Sequence, residues 1–394
     1  MIRILHVFGR LDMGGAESRI MDLYRNIDRE KIQFDFVEHT EDKCFYDDEI
    51  KSLGGTIYRI PRFKFINMKS YEHAWEELFK AIQSKEETKV IMVQGHMTST
   101  ASVYLPIAKK HGVSCTIAHA RSAGVDPGIK GYLTRIMRMS IPKKADRMFT
   151  CSQAAGISAF GKKAVLANRV RFVPNAIDCE KFKYDEEVRN RIRTELGIED
   201  SLVIGHVGRF HYAKNHEFLI KVFRDFLEDW EVQKKENDFG FSKKPVLIMV
   251  GDGGKMANIK SLVLEYGISN NVIFLGKRTN VSDYYQAMDF FLYPSKYEGL
   301  PGTVVEAQSS GLPVLMSDAI CDEVVVTDLV KTMSLSKQSD LWSEEIIRIL
   351  NKMFSSDNNR VLYNEEVIKS GFDVKSQAEI MEKFYLSGSF EDEL

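Results

Sequence analysis

Short runs of β-branched and aromatic residues alternate with amphipathic stretches almost from one end of the chain to the other. Strand patterns fall at 2–8, 33–38, 56–60, 89–93, 114–118, 146–151 and 170–173, then at 202–207, 246–250, 272–275, 289–293 and 313–316. Several are apolar without a break, such as 246–250 and 290–293. Strands of that kind are covered by helices on both faces, so the pattern predicts parallel sheets in α/β layers. It restarts near residue 200, where a second apolar strand ends in Gly208 as the first ends in Gly9. Two doubly wound, Rossmann-like domains follow, one over 1–178 and one over 179–355, facing each other across a cleft. The stretch 356–394 is expected to be helical and to pack back toward the first domain. The polar stretch 231–244 reads as a surface insertion. Ligands in such sheets bind beyond the carboxyl ends of the strands, which directs attention to the loops there.

The length of 394 residues suits two domains, and a charged fraction of 28% is ordinary for a globular protein. No apolar stretch approaches the roughly 20 residues of a membrane span, and the opening Met1–Phe8 runs straight into Gly9-Arg10, so it reads as a strand and not as a targeting segment. Five scattered cysteines without a C-x-x-C pair suit reduced thiols in a cytoplasm and argue against a cysteine-based zinc site. The net charge of −2 hides an asymmetry: residues 1–175 carry 28 Lys and Arg against 19 Asp and Glu, and the rest is correspondingly acidic. Between Lys130 and Arg171 stand ten basic residues and one acid, Asp146. Within it Arg135 and Arg138 have the i, i+3 spacing of one helical face. The run is either a solvated face or, through the basic 130–147 region, a surface for anionic membrane lipid or a lipid-linked phosphate.

Glycine-rich loops follow several strands. Gly14-Gly15 precedes a helical pattern from Ser18 to Asn26, and such a turn lets backbone N–H groups approach a phosphate. Its spacing is not that of a dinucleotide fingerprint. Gly208-Arg209 and Lys214 lie on a loop before a helix, where two cations can clamp a diphosphate. Gly251 closes another strand, and Gly276-Lys277-Arg278 ends one where a base can pack. The sharpest signal is Glu298-Gly299-Leu300-Pro301-Gly302-Thr303-Val304-Val305-Glu306. Here a stiff loop, poor in side chains, presents main-chain N–H groups to phosphate between two carboxylates suited to hydroxyls. Thr303 and Glu306 also have the spacing of a capping box, with a helix beginning near Thr303.

Gly14-Gly15, His119, Arg209 with Lys214, and the Glu298-x7-Glu306 element together resemble the family four retaining glycosyltransferases, bacterial enzymes of polysaccharide biosynthesis with the GT-B fold. The resemblance covers essentially the whole chain, with Ala176 standing in Asn175-Ala176-Ile177-Asp178 where relatives often have glycine. It implies that Glu306 binds ribose hydroxyls, Glu298 contacts the donor sugar, and Arg209, Lys214, Gly15 and the amides near Gly302 and Thr303 hold the diphosphate. His119 would line the sugar pocket, with His96 and Arg121 toward the acceptor. The resemblance implies retention by front-face displacement, with the leaving phosphate taking the acceptor's proton.

The expected enzyme thus moves a sugar from a nucleotide-sugar substrate, UDP-linked in most of the family, to a glycan or polyprenyl-linked acceptor. No cofactor is expected. No metal is expected either, since the chain has no D-x-D motif. Nor is nucleic acid expected as a partner. The predicted location is cytoplasmic, at the inner face of the membrane. Two alternatives are a UDP-N-acetylglucosamine epimerase or hydrolase of the same fold and a non-catalytic partner subunit that binds a sugar nucleotide.

Overall fold

Every strand pairs in parallel with its neighbours, as continuously apolar runs with helices on both faces require. The computed structural model describes residues 1–124, 128–236, 243–354 and 360–390, and the chain divides into two units. The first unit comprises Met1–Ala176 and Asp373–Leu394; the second is Ile177–Phe372.

The first unit holds β1 (Ile2–Val7), β2 (Ile32–Glu38), β3 (Ile57–Arg59), β4 (Met92–Gly95), β5 (Cys115–Ala120), β6 (Arg147–Thr150) and β7 (Arg171–Phe172). Their order across the sheet is β3-β2-β1-β4-β5-β6-β7. The second unit holds β8 (Ser201–Val207), β9 (Lys244–Val250), β10 (Val272–Gly276), β11 (Phe290–Tyr293), β12 (Val314–Ser317) and β13 (Val330–Met333), in the order β10-β9-β8-β11-β12-β13. Each sheet therefore reverses its winding once, between β1 and β4 and between β8 and β11. Crevices in doubly wound sheets open at such points, so the loops after these four strands are the favoured ligand positions.

The apolar pattern located every strand but β13. That edge strand, Val330-Lys331-Thr332-Met333, is half exposed and carries no apolar run. Residues 237–242 of the supposed surface insertion lie outside the described residues. The helix before them runs His216–Glu236.

In the C-terminal stretch, the helix Leu362–Val367 belongs to the second unit, where Asn364 donates to the Cys179 carbonyl at 2.7 Å. Gly371, at φ 80°, turns the chain, and Asp373 caps the helix Val374–Ser387 by accepting from the amides of Lys375 and Ser376. Val374, Met381, Phe384 and Tyr385 of that helix join the core of the first unit. Among the described residues no helix is long and apolar enough to cross a membrane.

Candidate functional site

The loops beyond β8 and β11 meet because the two strands are neighbours. The Lys296 amide donates to the Ala213 carbonyl at 2.7 Å, joining them. Lys214 Nζ then stands 2.9 Å from Glu298 Oε1 and hydrogen-bonds the Tyr293 hydroxyl, at the last residue of β11. The ammonium also lies 4.6 Å from the Tyr293 ring centroid. Burial alone would lower the Lys214 pKa, but the Tyr293 oxygen and the Glu298 carboxylate outweigh it and leave the pKa raised. Burial pushes the Tyr293 phenol up to about 12 against the opposing pull of Lys214. The lysine is thus a fixed cation within this loop pair.

Glu306 is buried, and its Oε2 accepts from the Tyr285 hydroxyl at 2.9 Å. The helix carrying it runs Gly302–Ser309 with Pro301 as N-cap and no side-chain cap bond, so the expected capping box does not form. Proline fixes the chain direction two residues before Thr303, which the box would need as the cap. Gly302 and Thr303 are left as the first helical residues, whose amides have no intrahelical acceptor. Leu300 and Pro301 are buried beneath them.

Gly208 is flanked by a tight backbone contact. A Cβ on Gly251, at φ 137°, would lie 2.1 Å from the Gly208 carbonyl oxygen, and one on Gly253, at φ 155°, would lie 2.6 Å from that of Phe210. The strand-closing Gly251 thus has no room for a side chain. Its demonstrable task is to let the loop after β9 press against the loop after β8. Arg209, Lys277 and Arg278 project as exposed side chains.

In the first unit, histidines gather beside the reversal between β1 and β4. Arg121 Nε donates to His96 Nδ1 at 3.2 Å, and His96 Nε2 is 3.2 Å from His6 Nδ1. Tyr385 donates to Gln94 Oε1 at 2.6 Å, and Gln94 Nε2 reaches His119 Nδ1 at 2.9 Å. Burial, reinforced by the charge on Arg121, holds His6, His96 and His119 well below the ordinary imidazole range. A cavity of about 260 Å³ opens here, lined by His96, Met97, Thr98, Ser99, Arg121 and Arg138 among others. His119 does not line it: the residue lies inside β5, fully buried, where the sequence pattern had ended the strand one residue earlier.

Two families match the chain: residues 13–181 match Glycosyltransferase Family 4, and residues 188–366 match Glycosyl transferases group 1. EpsF of Bacillus subtilis, whose own glycosyltransferase assignment is provisional, is 34% identical over 351 residues, 88% of this chain and 87% of EpsF. The chain belongs to the group 1 glycosyltransferases. The glycosyltransferase is also 24% identical over 393 residues to the capsular polysaccharide biosynthesis glycosyltransferase CapH of Staphylococcus aureus, covering 98% and 99% of the two chains. Among solved structures, Anabaena HepE in complex with UDP superposes with a TM-score of 0.75 over 99% of this chain and all of that one. Its 16% identity speaks for the shared fold.

The structure of this glycosyltransferase brings together Lys214, Glu298, Gly208, Gly251, Gly302 and Thr303 in the second unit, and His96 with Arg121 in the first. Gly14 caps the helix Gly15–Asn26, and a Cβ there would lie 2.3 Å from Glu17 Oε2. The negative group beside that helix start is therefore the chain's own Glu17, at the place where phosphate was expected.

Sequence reasoning missed Tyr293 and Tyr285, whose hydroxyls hold Lys214 and Glu306. Only the position of Tyr293 at a strand end, just before Pro294, hinted at a role. It also missed a third cluster: Glu38, Cys44 and Asp47 hold potential ligand atoms within 4.8 Å of one another. Arg59 reaches both carboxylates, and Glu38 Oε1 accepts from the Leu11 amide at 3.0 Å, so the group ties down the loop after β1.

Proposed function

We propose that this enzyme transfers a sugar, with retention, from a UDP-linked donor to a glycan or polyprenyl-linked acceptor in the synthesis of a surface polysaccharide. The observation that carries the reading is the Lys214–Glu298 pair on the two loops at the β8/β11 reversal. The name of CapH supports the pathway, and the UDP complex of HepE supports the donor. In this reading Glu306 accepts from the ribose hydroxyls and Glu298 orients the sugar. Arg209, Lys214 and the Gly302 and Thr303 amides meet the charge that grows on the leaving diphosphate, in place of a metal ion. The acceptor hydroxyl attacks the anomeric carbon on the face from which the phosphate leaves. The bond from that carbon to the phosphate oxygen breaks, and the acceptor's proton passes to the departing phosphate.

The enzyme would work at a membrane surface. On the helix Ile129–Met139, residues Ile129, Tyr132, Ile136 and Met139 share one face and are all exposed, while Gly131 and Arg138 are buried. An apolar stripe turned outward beside exposed Lys130 and Arg135 suits an anionic bilayer surface.

A thermal-shift screen of sugar nucleotides, followed by turnover with labelled donor, tests the assignment. UDP-sugars are expected to stabilise the protein by mass action, and NMR of the product should show the donor's anomeric configuration kept. An inverted product, or no stabilisation by any UDP-sugar, refutes it.

A further inference from the structure

Arg138 faces inward from the 129–139 helix, although its i, i+3 spacing from exposed Arg135 suggested a common basic face. It is 9% exposed, its Nε is buried without a hydrogen-bond partner, and Nη1 donates only to Ser158 Oγ at 3.3 Å. Arg121, lining the same cavity, spends its donors on neutral atoms: His96 Nδ1 and Asn175 Oδ1. Among the described residues no carboxylate forms an ion pair with either guanidinium. Burial pushes the Arg121 pKa down to about 10 and lowers that of Arg138; a guanidinium is a cation at neutral pH. A buried and a half-buried positive charge with no carboxylate in ion-pair contact are costly unless an anion joins them.

The third contribution comes from the helix Thr98–Lys110. Its N-cap, Met97, makes no side-chain cap bond, and Thr98 and Ser99 of its first turn line the cavity. Free amides and the positive end of the helix dipole therefore face the same space as the arginines. At about 260 Å³ the space far exceeds the roughly 10–15 Å³ that one water needs on this measure.

We propose that this cavity is an anion site that receives a phosphate or diphosphate group of the acceptor, a reading that rests on the transferase assignment. Bidentate guanidinium contacts suit phosphate oxygens. Binding here would fix the acceptor by its phosphate and leave the sugar hydroxyls free to react.

Calorimetric titration of the full-length protein with inorganic diphosphate, and separately with UDP, tests this. With the donor diphosphate site filled by saturating UDP, Arg138→Gln and Arg121→Gln should each weaken diphosphate binding by about tenfold or more. UDP binding should be unchanged in Arg138→Gln, which also reports that the variant is folded. Diphosphate binding of unchanged strength in both glutamine variants, with UDP present, overturns the inference. Failure of the wild type to bind UDP counts instead against the donor assignment. Displacement of diphosphate by a short-chain prenyl-diphosphate sugar, but not by a soluble sugar phosphate, identifies a lipid-borne group; the reverse identifies a soluble acceptor.

Discussion

The bond from Arg121 Nε to His96 Nδ1 fixes the protonation of two histidines at once. Guanidinium only donates, so Nδ1 must offer its lone pair and the His96 proton sits on Nε2. That proton points at His6 Nδ1, whose own proton is then on Nε2, a buried nitrogen without a partner. His96 therefore has no free lone pair with which to act as a general base. We expect the pH dependence of transfer to lack an acid limb near the ordinary histidine value of about 6.5. A limb there that disappears in His96→Gln would show the assignment to be wrong.

Removing either member of the Lys214–Glu298 pair should abolish most turnover. Lys214→Ala and Glu298→Ala should each lower kcat by about a hundredfold or more if the charges act on the developing diphosphate and the sugar. Lys214→Ala also strands Glu298 and the Tyr293 hydroxyl. Because both side chains are partly exposed, 16% and 19%, the stability loss should stay near 2 kcal/mol. Urea unfolding beside steady-state kinetics separates the two effects.

Gly251→Ala and Gly253→Ala should damage the loop after β8 from a distance. The added Cβ atoms meet the Gly208 and Phe210 carbonyl oxygens at 2.1 and 2.6 Å, at backbone angles that side chains rarely adopt. A cost of about 2–4 kcal/mol is expected at each, with weakened UDP binding. Alanine variants with wild-type melting temperatures would mean that the loops can part without loss.

His216 offers an acid-stability test. It is buried between Phe210 and His206, with both ring nitrogens unpartnered, and burial lowers its pKa to about 3. A histidine lowered in the folded state takes its proton first in the unfolded state. Stability is therefore present above pH 6.5 and lost as pH falls from there toward 3, by about 1.4 kcal/mol per pH unit for each such group. His216→Phe should flatten that slope by one proton between pH 6 and 4 in urea titrations, and should not destabilise the protein at pH 8.

Ile136→Glu on the outward stripe should release the enzyme from anionic vesicles in a flotation assay without changing turnover on a soluble acceptor. Equal flotation of wild type and variant, or no preference for anionic over neutral lipid, removes the membrane reading.

The apolar runs and strand-ending glycines made both sheets legible, because strands buried on two faces leave a pattern that tolerates little else. β13 escaped since an edge strand needs no apolar run. The Glu298-x7-Glu306 element was legible as chemistry, whereas its partners Tyr293 and Tyr285 were not. They meet Lys214 and Glu306 only through the pairing of β8 with β11 and the packing behind it, which no local spacing encodes. Arg138 shows the converse limit: helical periodicity grouped it with Arg135, while tertiary packing turned the apolar side of that helix outward and the arginine in.

The return of the chain at Asp373 makes the second unit a guest within the first. Its two ends are stitched together, the Ile177 amide donating to the Phe372 carbonyl at 2.8 Å, so 177–372 is one contiguous piece of chain. No contiguous piece yields the first unit. A premature stop before residue 373 would spare the insert and strip Val374, Met381, Phe384 and Tyr385 from the core laid down by the earliest residues, so the amino-terminal half can finish folding only after the last helix has been synthesised.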